Sequence, residues 1–141
     1  MLWPARLIAG GLGRPDHLVR GYYSRPTVFA DVTPDMTLFR EEIFGPVLTI
    51  TPFDSEAEAI ALANASDYGL AGYIQTSDLV RADRVAQALR VGMVQINGIS
   101  REDGAPFGGR RLSGVGREAG IWGIRAFQDV KSISGAAWAG A

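Results

Sequence analysis

The run Arg40-Glu41-Glu42-Ile43-Phe44-Gly45-Pro46 puts two adjacent carboxylates and an aromatic ring directly ahead of a Gly-Pro breaker and the apolar stretch Val47 to Ile50. Proline fixes φ and biases the residue before it away from helix, so Gly45-Pro46 forces a turn. Glu41, Glu42 and Phe44 are thereby presented from a loop at the mouth of a strand, where ligand contacts gather in α/β folds. Such a loop offers carboxylate acceptors and an aromatic face to a ligand. The same residues also read as a solvated acidic turn with Phe44 folded back on the core. A second aromatic, Phe107, stands alone in a glycine-rich stretch, Pro106-Phe107-Gly108-Gly109, and by itself reads as a core residue or as a pocket wall.

Other chemistries are excluded within this chain. There is no cysteine, so disulfides, thiolate metal sites and cysteine-centred catalysis are ruled out, and His17 is the only histidine. No metal site is expected, and no residue is assigned a catalytic role. Two glycine clusters imitate nucleotide-binding loops. Gly10-Gly11-Leu12-Gly13 is followed by no helical pattern and reads as a turn. Gly114-Val115-Gly116 with Gly120 has the wrong spacing for a dinucleotide fingerprint, and the acidic residue some twenty positions on is not clearly present.

The elements that must position Glu42, Phe44 and Phe107 follow from pattern. Ala5 to Ala9 is a short strand ending at Gly10-Gly11, and Leu12 to Tyr23 is a loop. Arg25 to Phe29 is extended, and Thr33-Pro34-Asp35-Met36 opens a turn or single helical turn that delivers the acidic loop. Val47 to Phe53 is apolar and β-prone and predicts a buried strand. Ser55-Glu56-Ala57-Glu58 is a capping box that starts a helix running to about Asn64. Leu70 to Thr76 is a strand, and Ser77 or Asp78 caps a helix whose Leu79, Ala82, Val85, Ala86 and Leu89 share a face. Gly92 occupies the place of a C′ glycine before the strand Met93 to Ile96. Strand–helix–strand–helix–strand with short connections argues for βαβ units in an α/β layer. Asn97 to Leu112 is loop, Ser113 to about Phe127 is expected to be helical, and Asp129 to Ser134 alternates like a half-buried or edge strand.

Several motifs recur here in one order: Glu-Glu-Ile-Phe-Gly-Pro, then Asn64-Ala65-Ser66-Asp67-Tyr68-Gly69-Leu70-Ala71, then Val94-Gln95-Ile96-Asn97, then Pro106-Phe107-Gly108-Gly109, then Leu112-Ser113-Gly114-Val115-Gly116-Arg117-Glu118. In that order and at these spacings the chain resembles the C-terminal part of the aldehyde dehydrogenase superfamily, from about Ala5 to Ser134. The resemblance implies a three-layer αβα fold with a mostly parallel sheet. It divides the chain into an N-terminal strand and loop (1–24), the C-terminal part of a catalytic domain (25–127), an oligomerisation-type strand (128–135) and a small-residue tail (136–141). Glu42 corresponds to the carboxylate that hydrogen-bonds the nicotinamide ribose hydroxyls, a pairing that suits two acceptor oxygens and a vicinal diol. Phe44 resembles the aromatic packed on the ribose and nicotinamide, and Phe107 the aromatic of the aldehyde pocket. Glu41 is structural or solvated, Asn97 follows a strand end near the site and reads equally as a site residue or as one whose amide holds the loop together through backbone bonds, and Arg117 and Glu118 cap or pair at a helix start.

In that family a cysteine attacks the aldehyde and a Rossmann-type domain holds the cofactor. Neither feature matches anything in this sequence, so the resemblance implies an NAD- or NADP-dependent oxidoreductase of which this chain is a portion, inactive alone and binding cofactor weakly or not at all. The alternative is a non-catalytic remnant or interaction module. The expected partners are further copies of the chain or a complementing dehydrogenase chain.

Composition agrees with a folded domain. The 141 residues are 47% hydrophobic and 21% charged, with a net charge of −1 and both signs interspersed. No basic patch speaks for nucleic acid, and no apolar run approaches the roughly 20 residues needed to cross a bilayer. The N-terminus lacks a charged region leading into an apolar one, which leads to the expectation of a cytoplasmic protein.

Overall fold

The computed structural model describes residues 5–135. Three strands form one sheet in the order β1 (Arg6–Ala9), β2 (Thr27–Ala30) and β3 (Val47–Thr49). β1 and β2 are antiparallel, with a register shift between Leu7 and Ala9. β2 and β3 are parallel, pairing Thr27 with Val47 and Phe29 with Thr49. The short helix α1 (Thr37–Arg40) lies in the β2–β3 connection.

A second sheet is built from β4 (Ala71–Ile74) and β5 (Met93–Ile96), parallel and in register from Ala71–Met93 to Ile74–Ile96. α3 (Leu79–Ala88) makes the crossover between them, giving a closed βαβ unit. Two of the three strand pairings are thus parallel, as expected of this α/β class. β3 and β4 do not pair, so α2 (Glu56–Asn64) connects two separate sheets.

Local signals explain the helices well. Ser55 is the N-cap of α2, and its hydroxyl accepts from the Glu58 amide at 3.2 Å. The Glu58 carboxylate reaches back one residue further than a standard capping box, to the Asp54 amide at 2.8 Å. Asp78 caps α3 by accepting from the Arg81 amide at 2.9 Å. The bond to that amide, ahead of burial, which opposes it, holds the Asp78 carboxyl below its ordinary range. α2 and α3 are tied at the surface by Glu56, which accepts from Arg84 at 2.7 and 2.8 Å and lies 3.3 Å from Arg81.

Several expectations are corrected. The strand expected over Val47 to Phe53 covers only Val47–Thr49, and Leu48 and Phe53 are each 59% exposed. Among the described residues β3 has no partner on its outer edge, and Pro52 cannot donate to a ladder. Leu79, expected on the buried face of α3, is exposed, whereas Ala82 on that face is buried. Gly92 is not a C′ residue, because α3 ends at Ala88 and Leu89 is already extended.

The helix expected from Ser113 to Phe127 is confined to α4 (Gly120–Arg125), preceded by a single 3₁₀ turn at Arg111–Ser113. Glu118 spends its backbone amide and carbonyl on Phe107, at 2.8 and 2.9 Å, and cannot also begin a helix. Residues 129–134 form no strand within the single chain. The alternation is present, but no neighbouring strand among the described residues supplies a ladder. The tail expected over 136–141 lies outside the described residues.

Among the described residues the fully buried apolar set is small: Ala30, Val32 and Ala82. Large apolar side chains are left at the surface, including Val115, Phe127 and Val130. No helix among the described residues is long and apolar enough to cross a membrane.

Candidate functional site

Two adjoining clefts contain the residues singled out from the sequence. The larger, of about 540 Å³, is lined by Glu41, Glu42 and Phe44 from the acidic loop, by Val47 and Thr49 of β3, and by Ala71 of β4. It therefore lies between the edges of the two sheets that have no partner strand among the described residues. The smaller, of about 370 Å³, is lined by Phe107, Gly108, Gly109, Arg117 and Glu118. Leu70 and Ser113 line both. The structure brings Glu42 and Phe44 into one cleft and places Phe107 in the next.

The first wall is open. Residues 41–46 are exposed throughout, and the Phe44 ring is 90% exposed. Phe44 has φ of 54°, a left-handed conformation that is costly for a bulky side chain. Backbone strain of this kind persists where surroundings hold it and concentrates at ligand-contacting positions. The loop is anchored behind the aromatic: the Glu41 amide donates to Thr37 at 2.9 Å, and the Val47 amide to Gly45 at 2.7 Å. Arg40 donates from Nε to the Pro34 carbonyl at 2.6 Å. No hydrogen bond or ion pair occupies the Glu42 carboxylate among the described residues. Both its oxygens are available as acceptors, which fits a vicinal diol, and the bare Phe44 face fits an apolar ring.

The second wall is closed and built by backbone. The Gly69 carbonyl accepts from the Gly92 and Arg110 amides, each at 3.0 Å, and the Gly69 amide donates to the Ser113 hydroxyl at 3.0 Å. Gly92 is packed so tightly here that a Cβ would lie 1.6 Å from the Gly108 carbonyl oxygen. Arg117 donates to the carbonyls of Gly109 at 2.6 Å and Gly116 at 2.8 Å. Arg111 donates to the Asn64 carbonyl at 3.1 Å and also to that of Ser66. Asn64 continues the tie: its Nδ2 donates to Ala88 at 2.9 Å, and its Oδ1 accepts from the Arg90 amide at 2.7 Å. Phe107 is half-buried against this frame, with the Arg101 guanidinium 5.7 Å from its ring centre.

Of the two readings open for Asn97, the structure shows the one in which it holds its loop. Its side chain accepts from the Thr76 amide and donates to the Thr76 carbonyl, both at 2.9 Å, with φ of 53°. Arg117 does not cap a helix but braces the glycine turn. Glu41 lines the larger cleft beside Glu42. Sequence reasoning missed Ser113 and Leu70, which join the two clefts. The order Phe-Gly-Gly then Leu-Ser-Gly was visible, but nothing in that spacing announces a contact to Gly69, 44 residues away.

The α/β fold thus carries a glycine-braced aromatic pocket beside an exposed carboxylate–aromatic loop. The aldehyde dehydrogenase family model matches residues 4–133, and the chain belongs to that family. It is 51% identical over 131 residues to 3-succinoylsemialdehyde-pyridine dehydrogenase of a Pseudomonas species, covering 93% of this chain and 28% of that protein. Among solved structures, an aldehyde dehydrogenase of Bartonella henselae is 54% identical with a TM-score of 0.88, covering 92% of this chain and 27% of that one. A mutant aldehyde dehydrogenase C of Pseudomonas syringae, solved with NAD+ and octanal, is 44% identical with a TM-score of 0.91. There the match covers 98% of this chain and 28% of the other. The chain thus spans little more than a quarter of the length of the relatives it matches.

Proposed function

We propose that this chain supplies the nicotinamide-ribose wall and the aldehyde-pocket wall of an NAD(P)-dependent aldehyde dehydrogenase. The observation that carries the reading is the meeting of the Glu42–Phe44 cleft and the Phe107 cleft at Leu70 and Ser113. Two ligands seated in these clefts lie side by side, as a hydride donor and acceptor must. Bound nicotinamide would supply the hydride acceptor. Glu42 would hold the ribose through charge-assisted hydrogen bonds, Phe44 would limit how far the ring swings away, and Phe107 would exclude water from the aldehyde carbon.

The chain by itself contains no cysteine to attack the aldehyde, so the isolated protein is expected to show no turnover. One charge-assisted pair and one aromatic contact offer only a few kcal/mol against the entropy of association, so affinity for NAD+ or NADP+ should be no better than about millimolar. Calorimetric or NMR titration of the full chain tests this. Glu42→Gln and Phe44→Ala should each weaken the binding further. Micromolar affinity, or millimolar affinity indifferent to both substitutions, would place the cofactor elsewhere.

A second reading, a non-catalytic module that docks on another chain or on itself, is favoured by the exposed apolar side chains of the C-terminal segment: Phe127 is 94% and Val130 97% exposed. Sedimentation separates the two readings when combined with the titration. Self-association without any cofactor response at Glu42 and Phe44 would favour the module.

A further inference from the structure

We infer that Thr27 is a positioning residue for the acidic loop: its hydroxyl aims the backbone amide that holds Pro46, and so sets where Glu42 and Phe44 meet a ligand. The inference rests on the reading of that loop as the nicotinamide-ribose wall.

Thr27 opens β2 and is the polar residue buried among the described residues, at 7% exposure. It lines neither of the two clefts. Its hydroxyl is used twice, accepting from the Gly11 amide at 3.0 Å and donating to the Arg25 carbonyl at 2.8 Å. The fit around it is close: a Cβ at Gly10 would lie 2.7 Å from the Thr27 hydroxyl oxygen and 2.1 Å from the Pro26 carbonyl oxygen. A buried hydroxyl with both partners in place is held in one orientation, and losing either bond is costly.

The backbone of the same residue holds the loop. The Thr27 amide donates to the Pro46 carbonyl at 2.9 Å, and Thr27 is paired in register with Val47. This rung stands directly behind the Gly45-Pro46 turn. At its other end the loop is tied by the Glu41 amide to Thr37. Residues 42–44 hang between these two bonds with their side chains exposed.

Hydroxyl and amide are linked through Pro26. The Thr27 hydroxyl fixes the Arg25 carbonyl, and the proline ring fixes φ of the next residue. Pro26 ψ is then the soft backbone torsion between that carbonyl and the Thr27 amide. The bond from the hydroxyl back to Arg25 closes a ring that restrains this torsion. Without it the amide can tilt, and a hydrogen bond weakens steeply with misalignment. Movement at Pro46 passes directly into the loop that carries Phe44.

The test titrates NAD+ into the full chain, isotopically labelled, and reads NMR shifts at the Glu42 side chain and Phe44 ring, with the Phe107 ring as internal reference. Thr27→Val, which keeps the shape and removes the hydroxyl, should weaken the response at Glu42 and Phe44 about fivefold and leave the Phe107 signal in place. Thr27→Ser should restore it. Ala82→Gly, which loosens a buried position in α3, should lower the melting temperature yet bind as the wild-type chain does. Wild-type affinity in Thr27→Val, no rescue by Thr27→Ser, or an equal loss in Ala82→Gly would overturn the positioning role. A wild-type Thr27 amide that exchanges with solvent as fast as that of Phe44 would overturn it without any variant. If the wild-type chain shows no NAD+ response at Glu42 or Phe44, the nicotinamide reading falls and the positioning is judged without ligand. Amide shifts of residues 42–45 that move in Thr27→Val and return in Thr27→Ser then support it, and shifts that stay in place overturn it.

Discussion

The acidic loop and the glycine frame are neighbours, share two lining residues, and are held in opposite ways. Around Phe107 the chain closes on itself. Gly69, Gly92, Arg110 and Ser113 exchange backbone bonds, Arg117 braces the turn, and there is no room for a Cβ at Gly92. Around Phe44 the chain is anchored only at its base, and the aromatic projects into solvent in a left-handed conformation. One wall is shaped by the chain's own contacts. The other displays its side chains and leaves their shape to whatever they meet. Under the proposed function, a fixed aldehyde position would suit the first, and a cofactor that must arrive and leave would suit the second.

The sharpest way to break this comparison is to add a methyl group on each side. Gly92→Ala forces a Cβ into the Gly108 carbonyl and should cost about 3 kcal/mol or prevent folding. Gly45→Ala meets nothing within 4 Å, and its effect should stay within about 0.5 kcal/mol. Denaturant unfolding of the two variants measures the contrast, and similar losses would show that the glycine frame is not the rigid side.

Truncating the two aromatics gives a smaller contrast. Phe107→Ala removes a half-buried ring from its frame and should cost about 2 kcal/mol. Phe44→Ala removes a ring already in solvent and should leave the melting temperature almost unchanged, whereas under the proposed function it should weaken cofactor binding. A large loss of stability in Phe44→Ala would mean that its loop is packed in solution.

The smallest effect is electrostatic and belongs to the helices behind the closed wall. The hydrogen bond from Arg84, ahead of burial, which opposes it, holds the Glu56 carboxyl below its ordinary value. A depressed carboxylate contributes stability that is present above its unfolded pKa and lost as pH falls through the folded one. The difference in stability between the wild-type chain and Glu56→Gln should therefore be present near neutrality and shrink as pH drops below about 4.5. Asp35, lowered first by its bond from Thr33, and Asp78 titrate in the same direction, so both proteins should still lose stability in acid. A difference that stays constant with pH would remove the Glu56 contact from the account.

What could be read from the sequence alone was local. Ser55 and Asp78 announced α2 and α3, because a cap satisfies amides three residues away and leaves a short, readable signature. The turn at Gly45-Pro46 and the strands Arg6–Ala9 and Met93–Ile96 were legible for the same reason, and the ordered motifs were enough to point to the family. Tertiary structure decided the rest. Whether Asp129 to Ser134 is a strand depends on a pairing partner, not on its alternation. Whether Ser113 to Glu118 is helical was settled by Phe107 claiming the Glu118 backbone. Gly92 is glycine because Gly108 approaches it, and Ser113 matters because Gly69 lies against it. These contacts join residues far apart in the chain, and a distance of that kind leaves no periodicity or spacing by which a sequence could declare it.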